Sequence, residues 1–215
     1  MQYRSLTQLI GDKLRKQIYD GKYQPGSRLN ISDIAQNLSV SPVPVREALR
    51  NLETEGLVVF KNNRGVDVRA LSVEDVRELY LIRPPLECLA AVEAAKKARP
   101  ADIKGLKELI DKLDKLDDAI QWHRLHAEFH QRLYALSGMR RLERIIDILR
   151  VQMQPYSRSY MSNAHHLKMA QKEHREMLEC LSKHDTKTME GVVRKHLARP
   201  ADLAINAVGS GMTLT

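Results

Sequence analysis

The sequence predicts a mostly α-helical protein, in which an N-terminal winged helix-turn-helix precedes a C-terminal all-α bundle of six or seven helices. Two helical patterns joined by a short turn, followed by two β-prone runs, indicate the first unit. Apolar residues at helical spacing, without an alternating strand pattern, occupy most of residues 73 to 208 and indicate the second. We therefore expect domains at 1–69 and 75–208, a linker at 70–74 and a flexible tail at 209–215.

The second helix of the helix-turn-helix lies in the stretch VSPVPVREALRNLETEGLV, which begins at Val40. Ser41 is predicted to cap this helix, and the two prolines of its first turn cost no helical hydrogen bond. Arg46 and Arg50 are four residues apart and project from one face. A different face carries the apolar residues at helical spacing, which are Val45, Ala48, Leu49 and Leu52. The helix can therefore pack on one side and meet a partner on the other.

Two short β-prone runs, 57–61 and 66–69, follow Gly56, which is predicted to end the helix. The residues that join them are Asn62, Asn63, Arg64 and Gly65, types that tolerate the positive φ of a tight turn. This pattern predicts a two-stranded wing. An amphipathic helix near residues 6–18 and a second at 31–38 complete the three-helix core.

The charge of the chain favours a polyanionic partner. Lysine and arginine exceed aspartate and glutamate by 35 to 27, and residues 1–69 hold eleven basic and seven acidic side chains. Such a surface binds nucleic acid by releasing counterions. A positive net charge alone is weak evidence, because many basic proteins are soluble and cationic without binding nucleic acid. Cys88 and Cys180 lie in apolar helical patterns and are expected to be buried thiols. We expect a cytoplasmic protein without a membrane partner, because no apolar run approaches the length of a membrane span.

The N-terminal motifs, in this order, resemble the DNA-binding domain of the GntR family of bacterial transcription regulators. The resemblance rests on the segments 23–29, 33–35, 44–49 and 55–57. It implies that Arg46 contacts bases and that the wing tip enters the minor groove of double-stranded DNA. The predicted DNA-binding residues are Ser41, Arg46, Arg50, Lys61, Asn62, Asn63, Arg64 and Gly65. Because one such unit reads only a half-site, we expect a homodimer on a palindromic operator.

The C-terminal part is predicted to contain helices at 73–98, 101–116, 118–137, 139–155, 163–182 and 186–206. Ser72 and Asp75 have the spacing of an N-terminal helix cap. Pro84 and Pro85 interrupt the first of these helices. Because a proline ring excludes the preceding turn's carbonyl from helical bonding, we expect a kink or a restart there.

All eight histidines lie in the C-terminal part. His126 and His130 are four residues apart on one helical face, a spacing that allows both imidazoles to reach one cation. His174 and His196 each lie on a separate predicted helix, so four histidines from three helices could converge. Spacing over such lengths leaves open that they are ordinary solvated or hydrogen-bonded residues. The other four, His123, His165, His166 and His184, are predicted to lie on the surface.

The segments 126–130, 137–138, 173–175 and 195–197 resemble the FCD effector domain of the FadR-type branch of the GntR family. The resemblance implies a metal site at His126, His130, His174 and His196, often holding zinc or nickel. The family normally has Asp or Asn at the first position, where this chain has His126. An all-imidazole set favours Zn, Ni, Co or Cu over Mg or Ca. Alternatively, only His130, His174 and His196 bind the metal.

Arg83 matches the arginine of this domain that faces inward and pairs with an acidic ligand. A guanidinium fork suits a carboxylate. From spacing alone, a salt bridge to Glu87 one turn later is nearly as good an interpretation. The expected function is a DNA-binding regulator, a repressor, that senses a small organic acid through a metal-containing helical domain. The alternatives are a regulator that senses the metal ion itself and a histidine-ligated metalloenzyme, and the expectation is that the chain is not an enzyme.

Overall fold

The structure, a computed structural model, describes residues 5–61, 65–156 and 163–209. Its N-terminal domain combines three helices with a small sheet. The elements in chain order are α1 (Leu6–Tyr19), β1 (Arg28–Leu29), α2 (Ile31–Leu38), α3 (Pro42–Thr54), β2 (Val58–Lys61) and β3 (Gly65–Val68). The predicted winged helix-turn-helix is confirmed. The wing-tip residues 62–64 lie outside the described residues.

Local chemistry sets the boundaries of these three helices. Ser5 caps α1 in a reciprocal arrangement with Gln8, and the Asn30 side chain accepts hydrogen bonds from the first turn of α2. Ser39 adopts a left-handed conformation with φ of 54° and ends α2. Ser41 occupies the N-cap position of α3, but its side chain makes no capping hydrogen bond, so the predicted cap is wrong in this respect. Pro42 and Pro44 start this helix instead, because their fixed φ angles suit its first turn.

The wing has three strands, not the two predicted. The antiparallel order is β1-β3-β2, with Leu29 opposite Val66 and Phe60 opposite Val66 on its other side. The third strand escaped prediction because β1 is two residues long and pairs far along the chain. Gly56 ends the α3 segment with φ of 75°, as predicted.

The C-terminal domain contains six helices among the described residues, which agrees with the predicted bundle. They are α4 (Val73–Lys97), α5 (Pro100–Leu113), α6 (Ala119–Ala135), α7 (Arg140–Met153), α8 (Ala164–Lys183) and α9 (Thr186–Gly209). A 3-10 turn at Gln154–Tyr156 follows α7. The Ser72–Asp75 capping box starts α4 as predicted. Of the predicted tail, Gly209 ends α9 and residues 210–215 lie outside the described residues.

Helix α4 continues through Pro84 and Pro85 as one element, so the restart considered in the sequence analysis is wrong. The residues on either side of the prolines are held by different clusters, with Val76 in one and Cys88 in another. This packing, much of it against α9, compensates for the backbone hydrogen bonds that the prolines remove. Cys88 and Cys180 are both buried free thiols, as predicted.

Each domain has its own apolar core. The N-terminal core includes Val45, Ala48, Leu49 and Leu52 of α3, all fully buried. The largest C-terminal cluster joins all six helices, α4 to α9. None of the helices among residues 5–61, 65–156 and 163–209 combines the length and the apolar character that crossing a membrane requires.

Specific contacts join the two domains. Arg124 on α6 donates to both carboxylate oxygens of Asp20, at 3.0 and 3.1 Å, just after the end of α1. The ring of Tyr19 lies 4.4 Å from that of His123, measured between centroids. The backbone N–H of Leu71 donates to the Tyr156 hydroxyl at 2.7 Å, which fixes the segment between the domains. On α7, Gln152 donates to the Glu55 carbonyl at 3.4 Å, so the N-terminal domain contacts both α6 and α7.

Candidate nucleic-acid interface and metal centre

The outward face of α3 presents the two predicted arginines. Arg46 is exposed and forms no ion pair with any residue that the structure describes. Arg50 is also exposed, but it donates to Glu53 at 2.8 Å and its guanidinium carbon lies 3.7 Å from the centroid of the Phe60 ring. Arg46 is thus free to reach a ligand, whereas Arg50 already has partners. Ser41, which is exposed, begins the same face.

The wing places more cations at the edge of this face. Lys61, at the end of β2, forms an ion pair with Asp67 at 2.6 Å. Gly65 opens β3 with φ of 87°, and a Cβ atom there would lie 3.0 Å from Nη2 of Arg28. Arg28 is an exposed cation at the wing that the sequence analysis missed, because its strand was not predicted. Asn62, Asn63 and Arg64 are outside the described residues.

Three helices bring the four predicted histidines together. His126 and His130 lie on α6, His174 on α8 and His196 on α9, and one nitrogen from each lies within 4.8 Å of all the others. We call these four residues the histidine tetrad. Nε2 of His130 is 3.1 Å from Nε2 of His126 and 3.1 Å from Nε2 of His196. The predicted convergence is present, and His126 belongs to it.

Neighbouring acceptors orient two of these imidazoles. His196 donates from Nδ1 to Oε2 of Glu173 at 2.9 Å, and His174 donates from Nδ1 to Oε1 of Gln171 at 2.8 Å. A neutral imidazole that donates from Nδ1 carries its lone pair on Nε2. Both Nε2 lone pairs are therefore available to a cation at the centre of the tetrad.

Burial keeps much of the tetrad neutral. Desolvation holds the pKa of His126, His130 and His174 well below the ordinary value, and the neighbouring histidines and Arg150 lower it further. His130 and His174 are respectively 2% and 0% exposed. Metal ions bind imidazole in this neutral form.

Within the described part of the chain, one nitrogen of the tetrad lacks a partner, which a metal ion would supply. Nε2 of His174 is buried and has no hydrogen-bond partner among the described residues, which is costly for a polar atom unless something binds it. Three more imidazole nitrogens face it, and no proton is needed on any of them. This donor set suits a borderline divalent cation. The tetrad could therefore hold a metal ion.

A cavity of about 90 Å³ opens beside the tetrad. His126, His130 and His196 line it, together with Arg83 and a set of other residues that includes Tyr80, Glu87, His123, Arg150, Tyr156 and Leu197. We call it the histidine pocket. Arg83 faces inward as predicted, and it is only 8% exposed.

Glu87 links Arg83 to the tetrad. Its Oε1 accepts from Nε of Arg83 at 2.8 Å, and its Oε2 accepts from the hydroxyl of Tyr134 at 2.6 Å. The Tyr134 oxygen lies 3.4 Å from Nδ1 of His130. Burial alone would raise the pKa of Glu87, but Arg83, Arg150 and the Tyr134 hydroxyl outweigh it and lower the pKa. Arg83 therefore forms the salt bridge to Glu87 that its spacing allowed, and it also lines the pocket.

Sequence reasoning misplaced some histidines and missed several neighbours. His123 is not a surface residue, because it lines the histidine pocket and burial, with Arg150, lowers its pKa to about 3. His166 is half-buried, whereas His165 and His184 are exposed as predicted. His123 could have been found by its spacing of three from His126. No such spacing pointed to Arg150, since it lies on α7 and the nearest tetrad histidines in sequence lie on α6.

Comparisons with known proteins assign both domains. Residues 6–68 match the model of bacterial regulatory proteins of the gntR family, and residues 78–199 match the FCD domain. The chain is 31% identical over 140 residues to the uncharacterized HTH-type transcriptional regulator YdhC of Bacillus subtilis (strain 168), covering 63% of this chain and 62% of that protein. It is 29% identical over 203 residues to the uncharacterized HTH-type transcriptional regulator BphR of Paraburkholderia xenovorans (strain LB400), covering 90% and 83% respectively.

The solved structure of Escherichia coli McbR/YncC has the same fold. It superimposes with a TM-score of 0.85 at 24% identity, covering 95% of this chain and 99% of that one. The named relatives are transcription regulators rather than enzymes. With both family models matched and the helix-turn-helix and tetrad in place, this chain belongs to the GntR family of bacterial transcription regulators, in the branch that carries an FCD domain, and it is not an enzyme.

Proposed function

We propose that the chain is a repressor whose C-terminal domain binds a divalent metal and, beside it, a small organic acid that releases the operator. The observation that carries this proposal is the shared cavity, because three tetrad histidines and Arg83 line the same 90 Å³. Cavities of this size admit only small molecules, since a cavity of about 150 Å³ accommodates benzene. The effector is therefore a short acid.

The tetrad would hold zinc or nickel. Four imidazoles bring no negative charge, so the bound cation keeps its full charge and attracts an anion. When bound, the metal supplies a Lewis-acidic centre for a carboxylate oxygen. Glu173 and Gln171 orient two of the ligands, and Tyr134 lies beside a third.

Arg83 would bind the acid. Its Nε is held by Glu87 at 2.8 Å, and this bond fixes the guanidinium at the wall of the pocket before any ligand arrives. A cation positioned in advance loses little side-chain entropy on binding, and a guanidinium suits a carboxylate. The Arg83–Glu87 pair thus supports a binding role.

We also propose that two copies form a homodimer that reads a palindrome. Helix α4 carries an exposed apolar stripe at positions 81, 85 and 89, which are one helical turn apart. Leu81 is 75% exposed and Leu89 is 44% exposed, and a run of exposed apolar residues on one helix face is typical of an interaction surface. A two-fold contact through this stripe would give the pair of half-site readers that a palindrome needs.

The metal site is tested by measuring the metal content of the purified protein and by replacing one of the ligands. Protein purified without chelators should contain one zinc or nickel ion per chain by elemental mass spectrometry. His130→Ala should lose the ion, because it removes a buried ligand. His165→Ala is the matched control, since this histidine is exposed and outside the tetrad. Full metal content in His130→Ala would contradict the metal site.

The acid response is tested on a duplex that the wild-type protein selects from a random pool. Short carboxylates should weaken binding of the zinc-loaded protein to this duplex. Arg83→Ala should abolish the response and leave binding without acid unchanged, because Arg83 lines the pocket of the C-terminal domain and is not part of the DNA-binding face. If acids strengthen binding, release of the operator by the acid is wrong, and if no acid affects it, acid sensing is wrong.

A regulator that senses the metal ion itself is the second candidate. Four histidine nitrogens within 4.8 Å of one another are enough for a closed tetrahedral site, with no position left for an acid. In that case zinc or nickel alone should change operator binding, and acids should add nothing. Separate titrations of metal and of acid distinguish the two candidates.

A further inference from the structure

Arg150 on α7 is a cation of the histidine pocket that makes no direct ion pair with any described residue. It lines the pocket together with Arg83. Arg83 is paired with Glu87 at 2.8 Å, and the second oxygen of Glu87 is taken by the Tyr134 hydroxyl. Arg150 forms neither an ion pair nor a hydrogen bond within the described parts of the chain. Its guanidinium carbon lies 5.7 Å from the centroid of the Tyr134 ring, a cation–π distance.

The same residue faces the N-terminal domain. A cleft of about 1000 Å³ opens beside the contact between α1 and helices α6 and α7, and we call it the interdomain cleft. Arg150 lines this cleft as well as the histidine pocket, and so do Ala127 and Gln154. Tyr19 of α1 lines the cleft from the opposite side. Arg150 therefore belongs to the wall between the pocket and the DNA-binding domain.

We propose that Arg150 binds a second acidic group of the effector, which makes the effector a short dicarboxylate, and that this contact carries the response to the DNA-binding domain. The inference rests on the proposed function. A single carboxylate is already matched by the metal and Arg83. A second one needs a second cation, and Arg150 lines the same cavity without a direct ion-pair partner among the residues that the structure describes.

The location of Arg150 explains how binding would reach the DNA. An acidic group in the pocket draws the guanidinium inward and removes a positive charge from the interdomain cleft. Within that cleft α1 presents Arg15, Lys16 and Tyr19 to helices α6 and α7. Charges across a cleft affect how two domains pack against each other. Withdrawal of the Arg150 charge therefore alters the packing of α1 against α6 and α7. This route runs through α1 rather than only through the linker at residues 70–74.

The experiment compares probes that differ by one charge and have nearly the same shape. Succinate and its monoamide, succinamate, are titrated into the zinc-loaded full chain by calorimetry, with malonate and malonamate as a shorter pair. Wild-type protein should prefer each diacid by about tenfold or more, the usual effect of one charge-assisted hydrogen bond. Arg150→Gln should lose this preference and keep its affinity for the monoamide. Arg150→Lys, which retains the charge without the fork, should keep part of the preference.

Arg132→Gln is the matched control, because Arg132 lines the interdomain cleft but not the histidine pocket and already pairs with Glu128. It should behave as wild type. On the selected duplex, succinate should weaken binding of wild type and Arg132→Gln, and should have no effect on Arg150→Gln.

The outcomes separate this proposal from the proposed function. If wild-type protein binds the acids but does not prefer the diacids, the role of Arg150 is wrong and acid sensing stands. If Arg150→Gln prefers diacids as strongly as wild type, the role is also wrong. If wild type binds none of the four acids, acid sensing itself fails. Should Arg150→Gln not fold by circular dichroism, the wild-type comparison and Arg150→Lys still decide the matter.

Discussion

Glu173 accepts a hydrogen bond from Nδ1 of His196 at 2.9 Å, while its other oxygen accepts from Arg199 at 3.0 Å. The carboxylate is fully buried. Although burial would raise its pKa, the bonds to His196 and Arg199 lower it, so the group is a carboxylate at neutral pH. A buried anion in this position fixes the imidazole ring and makes its free nitrogen a better metal ligand.

Replacing Glu173 by alanine should therefore weaken metal binding. Loss of a carboxylate that orients a histidine ligand typically lowers metal affinity by about 10- to 100-fold. Competition for zinc with a chromophoric chelator measures this change. Glu176→Ala is the control, because this residue lies on the same helix but pairs with Lys195, at 3.9 Å, and not with a tetrad histidine. Equal zinc affinities in the two variants would show that Glu173 has no part in the metal site.

Replacing Arg46 by alanine should weaken operator binding and leave the fold intact. Arg46 is exposed on α3, and no residue in the described part of the chain pairs with it. A good base contact contributes about 1–3 kcal/mol of discrimination. Fluorescence anisotropy on the selected duplex measures the loss. Arg141→Ala is the control, because Arg141 is also exposed but lies on α7, and it should bind the duplex as wild type does. If Arg46→Ala also bound as wild type, Arg46 would have no part in the interface with DNA.

The N-terminal domain was predictable because its signals are local. The apolar spacing of α3, the prolines of its first turn and the position of Gly56 each specify structure within a few residues. Strand β1 was not predicted, because local signals do not identify a strand that forms only by pairing with a distant segment. Arg28 and Leu29 become a strand only because β3 lies beside them, some forty positions later.

The candidate site was predictable to a smaller extent. The pair His126 and His130 follows from helical spacing, whereas convergence of His174 and His196 with them stayed one of two open interpretations until the family resemblance favoured it. Arg150 could not be assigned, because its position on the pocket depends on how α7 packs against the helices of the tetrad. Packing between helices is set by many side chains together, and no short pattern records it.

Acid should destabilise the metal-free protein. Burial keeps the pKa of His130 and His174 well below 6.5, the value expected for an unfolded chain. As the pH falls through 6.5, the unfolded state takes up protons that the folded state does not. The free energy of unfolding should therefore fall with pH below about 6.5, by up to roughly 1.4 kcal/mol per pH unit for each of these two groups.

Urea unfolding of chelator-treated protein between pH 7.5 and 5.5 measures this dependence. His174→Ala should reduce the slope, because one buried imidazole is gone. His165→Ala should leave the slope as it is in wild type, since the imidazole it removes is exposed. A free energy of unfolding that stays constant down to pH 5.5 would mean that these imidazoles take up protons in the folded protein as readily as in the unfolded chain.

Replacing Leu81 by aspartate should separate the proposed dimer. The side chain is 75% exposed at the start of the apolar stripe on α4, so the substitution costs the isolated chain little. In a two-fold interface the same substitution would place two unpaired carboxylates in an apolar contact, a strongly unfavourable arrangement. Sedimentation equilibrium should then show a dimer for wild type and a monomer for Leu81→Asp. Ile145→Asp is the matched control, because Ile145 is 48% exposed but lies on α7, outside the stripe, and this variant should remain a dimer. A dimeric Leu81→Asp protein would exclude the α4 stripe as the interface.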